Sequence, residues 1–282
     1  RAFGIVARTR PALILSFGGY SAFPVAVAGW LLGIPILTHE QTRVAGLTNK
    51  AIALFARRVA VSFPETLSQF PPHKTVYTGL PIRSELFVPP KEPSFPYEKA
   101  PLLFITGGAT GAVSLNDYIY PLIPALVKTW MIIHQTGRFG VAQGRATRAG
   151  LSVKERSRYR VVAYITGPDY AWIMHHATLI LGRSGANMVG EIAALGKVAL
   201  FIPLPWSAGG EQDKNARYLA LNGTSVVLDQ QRSDAKRLAG AIDQIMKRYE
   251  SYSSRAQQLS RSFPKDGAQR LAGEVARLLS KS

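Results

Sequence analysis

The chain has 282 residues, 47% hydrophobic and 18% charged, which supports a large core in more than one lobe and excludes a disordered chain. It has no cysteine, which excludes disulfides and thiolate metal sites; its five histidines include the pair His175-His176 but no helix-spaced ligand set, so no metal is expected. The net charge of +17 raises nucleic acid as a partner, but no zinc-finger, aromatic RNA-binding or basic-heptad pattern accompanies it, and the Lys/Arg residues read as dispersed, so none is expected.

Strand and helix signals alternate along the chain, as parallel βαβ units require. The pattern predicts a strand at Ala12–Phe17 ending on Gly18-Gly19, a helix at Phe23–Leu32, and a short strand at Pro35–Thr38 ending on His39-Glu40. A helix over Ala45–Ala56 and strands at Arg58–Ser62 and Thr75–Thr78 follow. A Pro-rich patch from Pro89 to Pro96 reads as a connection between lobes. The second lobe opens with a strand at Leu102–Thr106 and the turn Gly107–Gly111. Further strands are expected at Met131–Gln135, Arg160–Tyr164, Ala177–Leu181, Val198–Ile202 and Ser225–Leu228, with amphipathic helices over 233–250 and 267–280.

Residues 1–60 carry seven Lys/Arg against one acid, Glu40, a net +6 on a segment rich in apolar residues. Basic charge beside apolar residues suits an anionic membrane surface; charge kept for solubility alone is the plainer alternative. The longest apolar stretch, Ala22 to Leu32, is too short to span a bilayer and is broken by Pro24 and Gly29.

Four constellations could carry chemistry. Gly107–Gly111 directly follows a strand, where glycines let the backbone approach a phosphate; such turns also serve simply to reverse the chain. Gly182–Gly196 repeats the theme, with free helix-start amides for an anion and a carboxylate, Glu191, just inside the helix. In the plainer reading Arg183 pairs with a surface acid and Glu191 is solvated. The loop Pro203–Asn215 is rich in the donors and acceptors that sugar hydroxyls need, as many surface loops are. His39-Glu40-Gln41-Thr42 stands at a strand end, where open α/β sheets bind ligands, or where a helix start is capped.

Several of these strings, in their order and spacing, resemble the MurG family of UDP-N-acetylglucosamine:lipid I N-acetylglucosaminyltransferases. They are Ser16–Tyr20, Leu32–Pro35, His39–Gln41, Ala45–Lys50, Arg183–Ala186 and Glu191–Ala193. The resemblance runs from about Pro11 to the C-terminus. It implies an α/β glycosyltransferase-B fold, two Rossmann-like lobes facing across a cleft. The N-terminal acceptor and membrane lobe is expected over 1–82, with the C-terminal helix 267–282 crossing back to it, and the UDP-sugar lobe over 83–266. The implied reaction is inverting transfer of GlcNAc from UDP-GlcNAc to the C4 hydroxyl of the MurNAc unit of lipid I, in peptidoglycan synthesis, with no cofactor and no metal. Partners would be UDP-GlcNAc, lipid I and the anionic membrane surface, with the protein peripheral on the cytoplasmic face of the bacterial cell membrane.

By position, the resemblance puts Ile165 on the uracil through its backbone and Glu191 on the ribose. It puts Ala186, Asn187, Met188, Val189 and Gly190, with Arg183 and Ser184 before them, at the diphosphate-facing helix start. Gln212 would read the GlcNAc hydroxyls, Arg83 would be a donor-site arginine, Ala109 and Thr110 would belong to the first glycine turn, and Trp30 would face the membrane. His39 and Glu40 are acceptor-site candidates, and Thr42 is expected to bind substrate. Thr42 stands where the family usually has Asn, and Ala109 where it has Ser, moving the nearest hydroxyl to Thr110. The family's first Gly-rich loop, whose histidine is proposed to help in catalysis, falls before the position matching residue 1. The first lobe is therefore expected to be incomplete, the chain to bind donor, and transfer to be poor. A transferase with another lipid acceptor, a UDP-GlcNAc epimerase, and a non-catalytic basic membrane- or nucleic-acid-binding module are the alternatives.

Overall fold

A computed structural model describes residues 1–108 and 111–280 and divides the chain into two compact units. The first unit comprises Arg1–Ile82 and Pro264–Ser282, the second Arg83–Phe263. In chain order the first unit contains α1 (Ala2–Thr9), β1 (Ile14–Ser16), α2 (Ala22–Leu31), β2 (Ile36–Glu40), α3 (Leu47–Phe55), β3 (Arg58–Val61) and β4 (Thr75–Tyr77). The strands form one parallel sheet in the order β1-β2-β3-β4. β2 runs two residues past the expected Thr38, so His39 and Glu40 lie inside the sheet, paired with Ala60 and Val61.

The second unit holds β5 (Leu102–Thr106), α4 (Val113–Ile119), α5 (Ile123–Leu126), β6 (Met131–Gln135), α6 (Val141–Ala149), α7 (Val153–Ser157), β7 (Tyr159–Val162) and α8 (Gly167–His176). It continues with β8 (Ala177–Gly182), α9 (Ala186–Leu195), β9 (Ala199–Phe201), α10 (Glu211–Leu221), β10 (Ser225–Val227), α11 (Ala235–Lys247) and α12 (Tyr249–Ser262). Its six parallel strands lie in the order β10-β9-β8-β5-β6-β7. The chain winds outward in both directions from β5 and β8, and their carboxyl ends form the topological switch point at which such sheets bind ligands. β5 and β6 are buried along their whole length, as a sheet covered on both faces demands, and pack into a core with Leu115, Ile119, Leu179, Leu200 and Ile242.

The Pro-rich patch is no free connection. His175 Nε2 lies 2.5 Å from the Leu86 carbonyl, the Ser94 amide donates to Asp169 Oδ1 at 2.7 Å, and Phe95 and Tyr97 pack on Trp172. These contacts strap the segment to α8, within the second unit.

The last helix, α13 (Gly267–Leu279), lies on the first unit's sheet: Leu271 packs with Leu37 and Ala60, and Arg58 Nε donates to Glu274 Oε2 at 2.9 Å. Its start approaches Leu80 so closely that a Cβ at Gly267 would collide with the Leu80 carbonyl. Among the described residues, no helix is long and apolar enough to cross a membrane.

Candidate active site

The two glycine turns picked out by sequence meet at the switch point, since Thr106 at the end of β5 pairs with Gly182 at the end of β8. A Cβ at Gly182 would strike the Thr106 carbonyl, so this closeness needs glycine. Beyond it, Gly185 caps α9 in an extended conformation with no side chain to satisfy the helix amides. The first turn closes when the Val189 amide donates to the Gly185 carbonyl at 3.0 Å. Helix geometry leaves the amides of Ala186, Asn187 and Met188 without an intrahelical acceptor, a partial positive charge suited to an anion. Ala186 and Met188 are half-buried and Asn187 exposed, whereas Val189 and Gly190 point into the core.

Glu191 is buried, one turn deeper, and is not the solvated helix residue of the plainer reading. Arg83 Nε donates to its Oε1 at 3.0 Å and the Tyr170 hydroxyl donates to its Oε2 at 2.5 Å. The Arg83 guanidinium also lies over the Tyr170 ring, 4.6 Å from its centroid. Burial pushes the Glu191 carboxyl above the usual carboxylate range, while the Tyr170 and Arg83 hydrogen bonds and the Arg83 charge act the other way. Burial, and then the carboxylate beside it, push the Tyr170 phenol up, so it stays a donor. Each carboxylate oxygen keeps acceptor capacity for a further hydroxyl.

The loop after β5 is held by an amide that sequence reading did not single out. Gln135, buried at the carboxyl end of β6, donates through Nε2 to Thr106 Oγ1 at 3.2 Å and to the Gly108 carbonyl at 3.0 Å. Its Oε1 accepts the Ile165 amide at 3.1 Å. One side chain thus fixes the first glycine turn and the loop holding Ile165, whose N–H is already engaged. Gly111 has φ +75°, and a Cβ there would lie 2.6 Å from both Gly137 Cα and the Thr136 carbonyl. Ala109 and Thr110 lie outside the described residues.

Arg183 and Ser184 turn inward. Buried Arg183 donates to the Ile202 and Pro203 carbonyls at 2.7 and 3.2 Å and to Ser114 Oγ at 2.9 Å, and burial lowers its pKa. Ser184 is fully buried, its hydroxyl donating to the Gln212 carbonyl at 2.7 Å. Both brace the turn from behind, and the surface-pair reading of Arg183 fails because it is buried and, among the described residues, no carboxylate pairs with it. Gln212 Oε1 accepts the Leu204 amide at 3.0 Å, and among the described residues its Nε2 has no acceptor.

In the first unit the acceptor-site candidates are interior groups. His39 is fully buried; its Nε2 lies 3.2 Å from Ser62 Oγ, and burial lowers its pKa to about 4. Buried Glu40 accepts four hydrogen bonds: from the Thr42 amide and hydroxyl at 3.0 and 2.9 Å, the Gly46 amide at 2.9 Å and Asn49 Nδ2 at 2.9 Å. That network shapes the loop between β2 and α3, and Thr42 is part of it. These three residues therefore build the loop from within, because β2 carries His39 and Glu40 into the sheet. Asn49, present in the recognised string but not singled out, also accepts from Thr38 Oγ1 at 2.7 Å. Among the described residues no group of three or more His, Cys, Asp or Glu could hold a metal ion.

Residues 102–271 match the glycosyltransferase family 28 C-terminal domain, and residues 1–61 match its N-terminal domain. A relative from Nitratidesulfovibrio vulgaris, named UDP-N-acetylglucosamine–N-acetylmuramyl-(pentapeptide) pyrophosphoryl-undecaprenol N-acetylglucosamine transferase, is 37% identical over 82% of this chain and 62% of its own length. One of the same name from Burkholderia cenocepacia is 35% identical over 100% of this chain and 74% of its own. The chain thus spans under two thirds of the first of these relatives. The crystal structure of Acinetobacter baumannii MurG shares 30% identity and superposes with a TM-score of 0.72 over 100% of this chain and 78% of that one. With two parallel α/β units of the glycosyltransferase-B type, the chain belongs to glycosyltransferase family 28 and, within it, to the MurG family.

Proposed function

We propose that the protein transfers GlcNAc from UDP-GlcNAc to the C4 hydroxyl of MurNAc in lipid I, with inversion, giving lipid II and UDP. The observation that carries this reading is the start of α9: three amides without an intrahelical acceptor, with the buried, doubly hydrogen-bonded Glu191 behind them. The amides would face the diphosphate and stabilise charge developing on it as the bond to the anomeric carbon breaks, the kind of preorganised electrostatics that dominates many enzymes. Glu191 would accept from the ribose hydroxyls, Gln212 Nε2 would donate to a sugar hydroxyl, and the Ile165 carbonyl would face the base.

In this reading the protein works peripherally on the cytoplasmic face of the membrane, and the surface of the first unit supports the membrane contact. Phe3, Ile5, Phe23, Trp30, Leu31 and Leu54 are exposed beside Arg8, Lys50 and Arg57. Such a surface gains about 1 kcal/mol per well-placed cation at an anionic leaflet. The substrate assignment is tested by supplying UDP-GlcNAc with either lipid I or diacylglycerol. Labelled product is expected with lipid I alone; product with diacylglycerol alone would overturn it.

A further inference from the structure

The positive charge of the second unit is not dispersed. Residues 138–160 hold seven Lys/Arg and one acid, Glu155. There α6, α7 and β7 surround a cavity of about 520 Å³ lined by Arg145, Arg148, Arg156 and Arg160, with buried Met131 and Tyr159 in its wall. Met131 opens β6, and Tyr159 to Val162 make up the whole of β7, so the cavity runs along the edge strand of the sheet, which β6 separates from β5 and its glycine turn.

Two of the arginines are fixed by the fold. Arg148 Nε donates to the Tyr159 and Arg156 carbonyls at 2.9 and 3.1 Å. Arg156 donates through Nε to the Leu151 carbonyl at 2.8 Å and through Nη2 to the Ala149 carbonyl at 2.5 Å. These bonds hold the stems, and among the described residues the terminal nitrogens of Arg148 and Nη1 of Arg156 have no acceptor, so little ordering remains to be done on binding. Arg160 is steadied over the Phe95 ring at 4.6 Å.

None of the described lining residues is a carboxylate. Nearby Glu155 is committed to Ser152 in a capping box, and Glu98 to Ser157 and Arg158. Four like charges around one cavity repel until an anion enters. All four are arginines, whose planar forks match phosphate oxygens two at a time. The volume lies within the roughly 300–1,000 Å³ typical of small-molecule sites. The lining tyrosine is 1% exposed and offers no stacking face, which disfavours a nucleic-acid strand.

We propose that this arginine-lined cavity binds a multiply charged phosphorylated anion, either a free phosphate compound or the headgroup of an anionic phospholipid. The test uses the whole chain and the double variant Arg145→Ala/Arg160→Ala, which removes no backbone hydrogen bond, with circular dichroism to confirm folding and Arg145→Glu as the alternative if it fails. Each is titrated with inorganic pyrophosphate in saturating UDP and sedimented with phosphatidylglycerol vesicles. The variant is expected to lose at least about tenfold in affinity for one probe, with UDP affinity unchanged. Loss towards pyrophosphate marks a free phosphate compound as the ligand, and loss towards vesicles alone marks a lipid headgroup. Wild-type affinity of the variant for both probes would overturn the proposal, as would no binding of either probe by the wild type. Loss of RNA-oligonucleotide binding alone would reassign the surface to nucleic acid and overturn it too.

Discussion

At Glu191, burial and hydrogen bonding act in opposite directions on a single carboxyl. Burial raises its pKa, and the Tyr170 and Arg83 hydrogen bonds pull it back. Removing the Tyr170 hydroxyl leaves burial less opposed and raises the carboxyl pKa further. As pH falls, a binding step that needs the carboxylate is lost through that pKa, so Tyr170→Phe is expected to move the acid limb of the UDP affinity profile to higher pH. Calorimetry as a function of pH reads the shift; an unmoved limb would show that Tyr170 does not tune Glu191. Gln135 makes a second residue-scale prediction. Gln135→Leu keeps the volume but strands the buried Ile165 amide, at about 1–3 kcal/mol, and frees the half-buried Gly108 carbonyl. Urea unfolding should show the midpoint falling with the m-value unchanged.

At the scale of elements, the glycine turns were legible because their function depends on backbone, and backbone requirements are written as glycine. Gly111 combines φ +75° with a Cβ position 2.6 Å from neighbouring backbone. Gly111→Ala is therefore expected to cost more than the ~1 kcal/mol of conformational strain alone, visible as a lowered thermal midpoint and weakened UDP binding. Side-chain braces were harder to read. Gln135 closes the apolar run Met-Ile-Ile-His, and a polar residue ending a buried strand is the signal that marks it. Tyr170 lies in the helix Gly167–His176 with nothing local to distinguish it, because its partner Glu191 is 21 positions away. His39-Glu40 was ambiguous for a related reason. Charged and titratable residues at a strand end suit a site and a buried hydrogen-bond network equally, and only the register of β2 against β3 decides for the network.

For the molecule as a whole, each unit buries a histidine held neutral. Burial lowers His39 to about 4 in the first unit and His134 to about 3 in the second, against 6.5 for the free side chain. Above pH 6.5 neither matters. Below it the unfolded chain takes up protons that the folded units refuse, so stability falls with pH by up to about 1.4 kcal/mol per pH unit for each histidine, down to the folded values. His39→Gln should flatten the part of that slope belonging to the first unit, as pH-dependent denaturant melts would reveal. Topology also explains why the donor-site reading could begin from sequence: turns 71 residues apart in sequence (Gly111 to Gly182) become neighbours only because β5 pairs with β8. The central claim is that this switch point, with Glu191 behind the α9 amides, holds a uridine diphosphate. Calorimetric titration of the chain and of Glu191→Ala with UDP and with ADP tests it most directly. UDP is expected to bind in preference to ADP and to weaken at least about tenfold in the variant; equal affinity for the two nucleotides, or an unchanged affinity for UDP in Glu191→Ala, would contradict it.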